Sequence, residues 1–337
     1  MILVMGNLKS GTSSLNHYLS LHGLIRHSPI RKEVNCLRCV NYNYSASTCW
    51  ARCGVGDENP HTPGVLWMDA SPEYCQMRPN VLADSLRLAY PVGAPSPHAF
   101  FLVRNPVEWA VSFFFHLSES DHPAEVKRFR KGRNGSVPEH QLLLNWIKTN
   151  KIDGSTSTWR DVNIYCKLFP ALHTTRDVLG SSHVHALRTE WMADGVLLVG
   201  MLERIASLFT LPSTPQWTPS LVGTVVNKRS CRGQEWKQDD SNARCSSGQD
   251  DSWLSQQLAH VHAAIRTAVE QRLTCMPDIE TTIERFGIFS ARRFSDAPDA
   301  KATLQMPGRR GSDVSPYSRS LSLRHEGSRA RGPWRPQ

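Results

Sequence analysis

The chain alternates short apolar runs with stretches whose apolar positions recur every three or four residues. Ile2, Leu3, Val4 and Met5 form the first run, closed by Gly6. An uninterrupted run of this length reads as a strand buried on both faces. After the polar stretch Asn7-Leu8-Lys9-Ser10-Gly11-Thr12-Ser13-Ser14, apolar residues return at Leu15, Tyr18 and Leu19, the spacing of one helix face. Residues 65–70 predict the next strand, ending at Ser71-Pro72-Glu73-Tyr74, and residues 79–90 a helix opened by Pro79. The strongest strand signal is 99–104, apolar until Arg104. Asn105-Pro106-Val107-Glu108 then supplies a helix cap, a proline at the first helical position and an acid at the third. Helical spacing recurs over 138–150 and within 162–179. Residues 196–201 (Val-Leu-Leu-Val-Gly-Met) read as a further buried strand, with a helix starting over 202–208. Trp253, Leu254, Leu258, Val261, Ile265, Val269 and Leu273 trace one face of a long helix.

Strands alternating with helices predict an α/β fold: a three-layer sandwich with a central, mostly parallel sheet and helices on both faces. We assign residues 1–295 to one domain, with a cysteine-rich loop insertion over 36–56. Residues 296–337, rich in Ser, Arg, Gly and Pro, read as a disordered basic tail.

Charge changes this picture little. The chain of 337 residues has a formal net charge of +9, but residues 301–337 hold eight Lys/Arg against two acids, which leaves +3 for the rest. The basic balance therefore belongs mainly to the tail, and no nucleic-acid partner is expected. The cluster Lys127, Arg128, Arg130, Lys131 and Arg133 reads as a solvated face that suits an anionic polymer. No apolar run is long enough to cross a bilayer. Because Met1 opens the first strand, no signal peptide is expected in this chain. Four of the nine cysteines, Cys36, Cys39, Cys49 and Cys53, form C-x2-C-x9-C-x3-C, which suits either zinc or local disulfides. Glycosylation sequons at Asn43 and Asn134 favour the disulfide reading and an oxidising compartment.

The chemistry concentrates after the first strand. A tight polar turn running into a helix presents backbone N–H groups and the positive end of a helix dipole, which suits a phosphate. Gly6-x4-Gly11 mimics the spacing of the triphosphate loop G-x-x-x-x-G-K-[ST], making the fold P-loop-like, but Thr12 stands where that loop needs its lysine. The lysine, Lys9, lies before Gly11 instead. A second site follows the strand at 99–104, where Arg104 and Ser112, two helical turns along, can face one crevice. Arginine grips phosphate bidentately and serine adds a donor.

Lys9-Ser10-Gly11-Thr12-Ser13 resembles the 5′-phosphosulfate loop of sulfotransferases. Arg104-Asn105-Pro106 with Ser112 resembles their 3′-phosphate motif, Arg-x-Pro-x5-Ser-x-Tyr, with Phe114 in place of the tyrosine. Arg31-Lys32-Glu33-Val34 is similar to the Lys-Glu-Val segment of the heparan and related carbohydrate enzymes, although Asn35-Cys36 replaces their His-Phe. Ala70-Ser71-Pro72-Glu73-Tyr74 is similar to their Ser/Thr-Pro-x-Tyr segment, with Ala70 where they carry lysine.

The resemblance implies transfer of a sulfuryl group from 3′-phosphoadenosine 5′-phosphosulfate (PAPS) to an acceptor hydroxyl by in-line displacement. Glu33 would be the general base, and Lys9 would neutralise the leaving phosphate. Ser10, Gly11, Thr12, Ser13 and Ser14 would hold the 5′-phosphate. Arg104 and Ser112 would hold the 3′-phosphate, completed by Arg232 in a late basic loop over 227–233. Asp69 and His98 are alternative bases. No metal is called for. The expected acceptor is a carbohydrate or anionic polysaccharide. The resemblance also implies a Cys231–Cys245 disulfide. Together with the sequons it implies the Golgi lumen, reached through an anchor upstream of Met1; the alternative expectation is a cytoplasmic protein. The alternatives are a P-loop nucleotide kinase or NTPase, and a non-catalytic nucleotide-binding protein.

Overall fold

The computed structural model describes residues 1–27, 35–38, 66–91, 93, 95–119, 139–150, 161–220, 263–275 and 278–286. All of them lie within the unit Met1–Phe294. Five strands form one sheet: β1 (Ile2–Gly6), β2 (Ile25–His27), β3 (Leu66–Ala70), β4 (His98–Val103) and β5 (Val184–Arg188). Their order is β2-β3-β1-β4-β5 and every pairing is parallel. The helices are α1 (Thr12–Ser20), α2 (Pro79–Ala89), α3 (Pro106–Glu119), α4 (Glu139–Thr149), α5 (Leu168–Leu179), α6 (Gly195–Leu208), α7 (263–272) and α8 (Asp278–Phe286). The fold is therefore the expected α/β sandwich, with an all-parallel sheet among the described residues.

Alternate residues of the central strands face opposite layers, as the two-residue period of a strand requires. Ile2, Val4, Phe100 and Leu102 pack with Leu15 and Leu19 of α1 and with Leu198, Met201, Leu202 and Ile205 of α6. Leu3, Met5, Phe101 and Val103 pack on the other face with α2, α3, α4, α5, α7 and α8. Since both faces are covered, the strands must be apolar throughout, and this is the reason β1 and β4 read so clearly.

One expectation is corrected. Residues 196–201 are the start of α6, not a strand. The Asp194 carboxylate caps that helix by accepting from the N–H groups of Val196 (2.8 Å) and Leu197 (3.0 Å). Leu198, Met201, Leu202 and Ile205 then follow the i, i+3, i+4, i+7 pattern and are buried, while Val196 is 70% exposed. The sequence pattern predicts neither the three-residue β2 nor β5, which lies beside β4. His183 and His185 break up its apolar signal, yet His185 is buried, stacked on Phe100 with ring centroids 4.9 Å apart.

The chain's connections set the functional end of the sheet. β1 leads through α1 towards the β2 side, whereas β4 leads to β5 on the other side. The helices following the adjacent strands β1 and β4 thus lie on opposite faces, and their diverging C-terminal ends form the topological switch point where open α/β sheets take ligands.

Candidate functional site

The turn between β1 and α1 occupies that switch point. Lys9 has φ 69° and Gly11 has φ 90°, both in the left-handed region, and Ser10 N–H donates to the Asn7 carbonyl at 3.0 Å. Gly11 serves as the N-cap of α1 with no side chain capping the helix. The glycine is required twice over. L-residues avoid this φ, and a Cβ at Gly11 would lie 2.6 Å from Met192 Cε and 3.0 Å from Thr189 Cγ2.

The second predicted site converges on this turn. Arg104, at the end of β4, donates from Nη1 to the Lys9 carbonyl at 2.9 Å, joining motifs 95 positions apart. Its Nε lies 3.7 Å from Glu108 Oε2. Asn105 caps α3 as expected, its Oδ1 accepting from the N–H groups of Val107 (2.9 Å) and Glu108 (3.3 Å). Ser112 is half-buried on α3, and Phe114 is core.

Residues without a motif complete the arrangement. Trp109 Nε1 donates to the Leu8 carbonyl (2.7 Å) and Thr189 Oγ1 to the Ser10 carbonyl (2.6 Å). Tyr165 links the two motifs: its hydroxyl donates to the Arg104 carbonyl (2.5 Å) and its own carbonyl accepts from Asn7 Nδ2 (2.8 Å). Burial, then the Glu190 carboxylate, raise the Tyr165 pKa and keep the phenol a donor. Glu190 accepts from Asn105 N–H at 2.7 Å. No sequence signal marked Trp109, Tyr165, Thr189 or Glu190, because each acts on backbone atoms distant in the chain.

Two buried donors, Ser10 Oγ and Arg104 Nε, have no hydrogen-bond partner among the described residues. Together with the uncapped start of α1, they fit an anion carrying phosphate groups. Asn7 Oδ1, also buried without a partner there, is an acceptor and adds nothing to anion binding.

Of the alternative bases, His98 stands apart from this site. His98 opens β4, six residues before Arg104 and at the opposite end of the strand, roughly 20 Å away at the usual strand rise. It contacts His185 (Nδ1 to Nε2, 2.9 Å) and packs on His183 and Phe209. Asp69 is buried and structural: it accepts from Ser71 Oγ (2.5 Å), from the Tyr74 hydroxyl and from Cys36 N–H (3.4 Å). Ser71 and Tyr74 in turn hold Asn35 N–H and Leu37 N–H, and Arg38 pairs with Glu73 at 2.6 Å. This network fastens segment 35–38 beside β3.

Glu33, Arg232, both sequons, the Lys127–Arg133 cluster, Cys231, Cys245 and the tail lie outside the described residues. Cys36 is disulfide-bonded, which favours the disulfide reading of its motif over zinc. A second disulfide, Cys166–Cys275, has no spacing signal in the sequence; it ties the segment carrying Tyr165 to the turn after α7.

Fold and site together define a parallel α/β protein with a left-handed turn and an uncapped helix start at its switch point. No protein-family model matches the chain and no curated protein matches it by sequence. Among solved structures, the chain is similar to a sulfotransferase from Alicyclobacillus acidocaldarius. That match has a TM-score of 0.43 and 18% identity, and covers 80% of this chain and 95% of that one. It is also similar to the sulfotransferase domain from the curacin biosynthetic pathway (TM-score 0.37, 15% identity, 64% of this chain and 76% of that one). At this level of likeness no residue role passes from either structure to this chain.

Proposed function

We propose that the protein is a sulfotransferase that moves a sulfuryl group from PAPS to an acceptor hydroxyl. The observation that carries this reading is the hydrogen bond from Arg104 to the Lys9 carbonyl, which unites the two motifs at one switch point. When bound, PAPS supplies an activated sulfuryl group on a phosphate leaving group. The N–H groups at the start of α1 and the hydroxyls of Ser10, Thr12, Ser13 and Ser14 hold the 5′-phosphate. The Lys9 ammonium offsets charge growing on the leaving oxygen. Arg104 and Ser112 take the 3′-phosphate, and Arg232 adds a further cation. Glu33 accepts the proton of the attacking hydroxyl at its carboxylate.

A carbohydrate acceptor and an oxidising, Golgi-type lumen belong to the same proposal. The disulfides at Cys36 and Cys166–Cys275 support the compartment, and the basic cluster over 127–133 supports an anionic polysaccharide. Transfer of label from PAPS to a panel of desulfated polysaccharides, phenols and alcohols tests the reading. Transfer to a polysaccharide, lost in Lys9→Ala and reduced in Glu33→Gln, is expected. Undiminished transfer by both variants would show that the assigned roles are wrong.

A further inference from the structure

The anion-binding turn is shaped by side chains that do not belong to it. Leu8, Lys9 and Ser10 are consecutive, and each carbonyl accepts from a different side chain: Trp109 Nε1 of α3, Arg104 Nη1 after β4, and Thr189 Oγ1 after β5. A trans peptide directs the N–H of the next residue opposite to its carbonyl. Anchoring Leu8 and Ser10 therefore turns the N–H groups of Lys9 and Gly11 away from the indole and the Thr189 hydroxyl. The middle N–H, of Ser10, closes the turn onto Asn7. With Lys9 and Gly11 both left-handed, the turn takes the concave backbone form that receives anions.

The anchors are themselves fixed. Trp109 is fully buried, stacked on Phe113 (centroids 4.9 Å, planes 15° apart) and 5.1 Å from the Tyr165 ring. The Thr189 methyl sits against Gly11. A carbonyl oxygen free to swing towards a phosphate would repel it, and these two donors hold the carbonyls of Leu8 and Ser10 back.

We propose that Trp109 and Thr189 are positioning residues that preorganise the turn for phosphate. The inference rests on reading the turn as the 5′-phosphate site, and it adds two residues that act only through backbone atoms.

Trp109→Phe keeps the stacked ring and deletes the N–H; Thr189→Val keeps the shape and deletes the hydroxyl. Calorimetric titration with pyrophosphate, 5′-AMP and adenosine 3′,5′-bisphosphate, at a temperature where all the proteins are folded, separates the outcomes. Each variant is expected to bind pyrophosphate and 5′-AMP about 3- to 10-fold more weakly, the factor for one neutral hydrogen bond. The ratio of 5′-AMP to bisphosphate affinity should hold, because that ratio reads the Arg104 side. Unchanged anion affinity with only a lower unfolding midpoint means a merely structural role and overturns the inference. A ratio that moves with the affinity also overturns it. Wild type that binds pyrophosphate but not the bisphosphate refutes the PAPS reading while the variants still decide the positioning role. Wild type that binds neither refutes both. Should Trp109→Phe fail to fold, the isosteric Thr189→Val carries the test alone.

Discussion

Lys9 combines a backbone conformation that costs an L-residue about 1–2 kcal/mol with the charge the proposed chemistry needs, at φ 69°. Strain retained at a site of this kind is a mark of function rather than of stability. Lys9→Gly relieves the backbone and lengthens the list of unfolded conformations, two effects of opposite sign near 1 kcal/mol. Its denaturation midpoint should stay close to that of wild type while sulfuryl transfer falls by about a hundredfold or more, the scale of one lost transition-state charge contact. Gly11→Ala should do the opposite to stability. Strain at φ 90° and the contact with Met192 predict a loss of at least about 1–2 kcal/mol in urea denaturation, together with weakened phosphate binding.

Among the elements, segment 35–38 depends on one buried carboxylate. Among the described residues Asp69 accepts from Ser71, Tyr74 and Cys36, and Tyr74, its pKa raised well above the ordinary phenol by burial and then by Asp69, stays protonated as a donor. Asp69→Ala leaves those donors buried and unpaired, so a loss of about 3 kcal/mol or more in chemical denaturation is expected. If Asp69 were instead an exposed base, the substitution would abolish transfer with little change in stability. The sequence made β1 and β4 legible because strands covered on both faces must be apolar throughout, and β3 through its apolar run Leu66–Met68. It hid the three-residue β2 and also β5, where buried His185 replaces an apolar residue, and it disguised the first turn of α6 as a strand because Val196 to Val199 are apolar on the exposed side as well. The two phosphate motifs were legible from residue spacing. Trp109, Thr189 and Tyr165 were not, since a side chain that bonds to a distant backbone atom leaves no local pattern.

Across the whole molecule, a histidine cluster and a disulfide contribute to stability. Burial, then the charge of neighbouring histidines, lowers the pKa of His98 to about 4 and of His185 to about 3. Both folded values lie below the ordinary 6.5, so the unfolded chain binds more protons between these limits and stability falls as pH drops through that window. His185→Phe should flatten the fall in denaturation midpoint between about pH 6.5 and 4. The Cys166–Cys275 disulfide closes a sequence separation of 109. Replacing both with Ser is expected to cost about 2–4 kcal/mol, read by denaturation without reductant. Nucleotide preference reports whether PAPS is held through Lys9, the turn and Arg104. Calorimetry in EDTA should show adenosine 3′,5′-bisphosphate binding that Arg104→Ala weakens far more than it weakens 5′-AMP binding. Binding of ATP only, and only with Mg²⁺, would contradict the account and point to a kinase or NTPase.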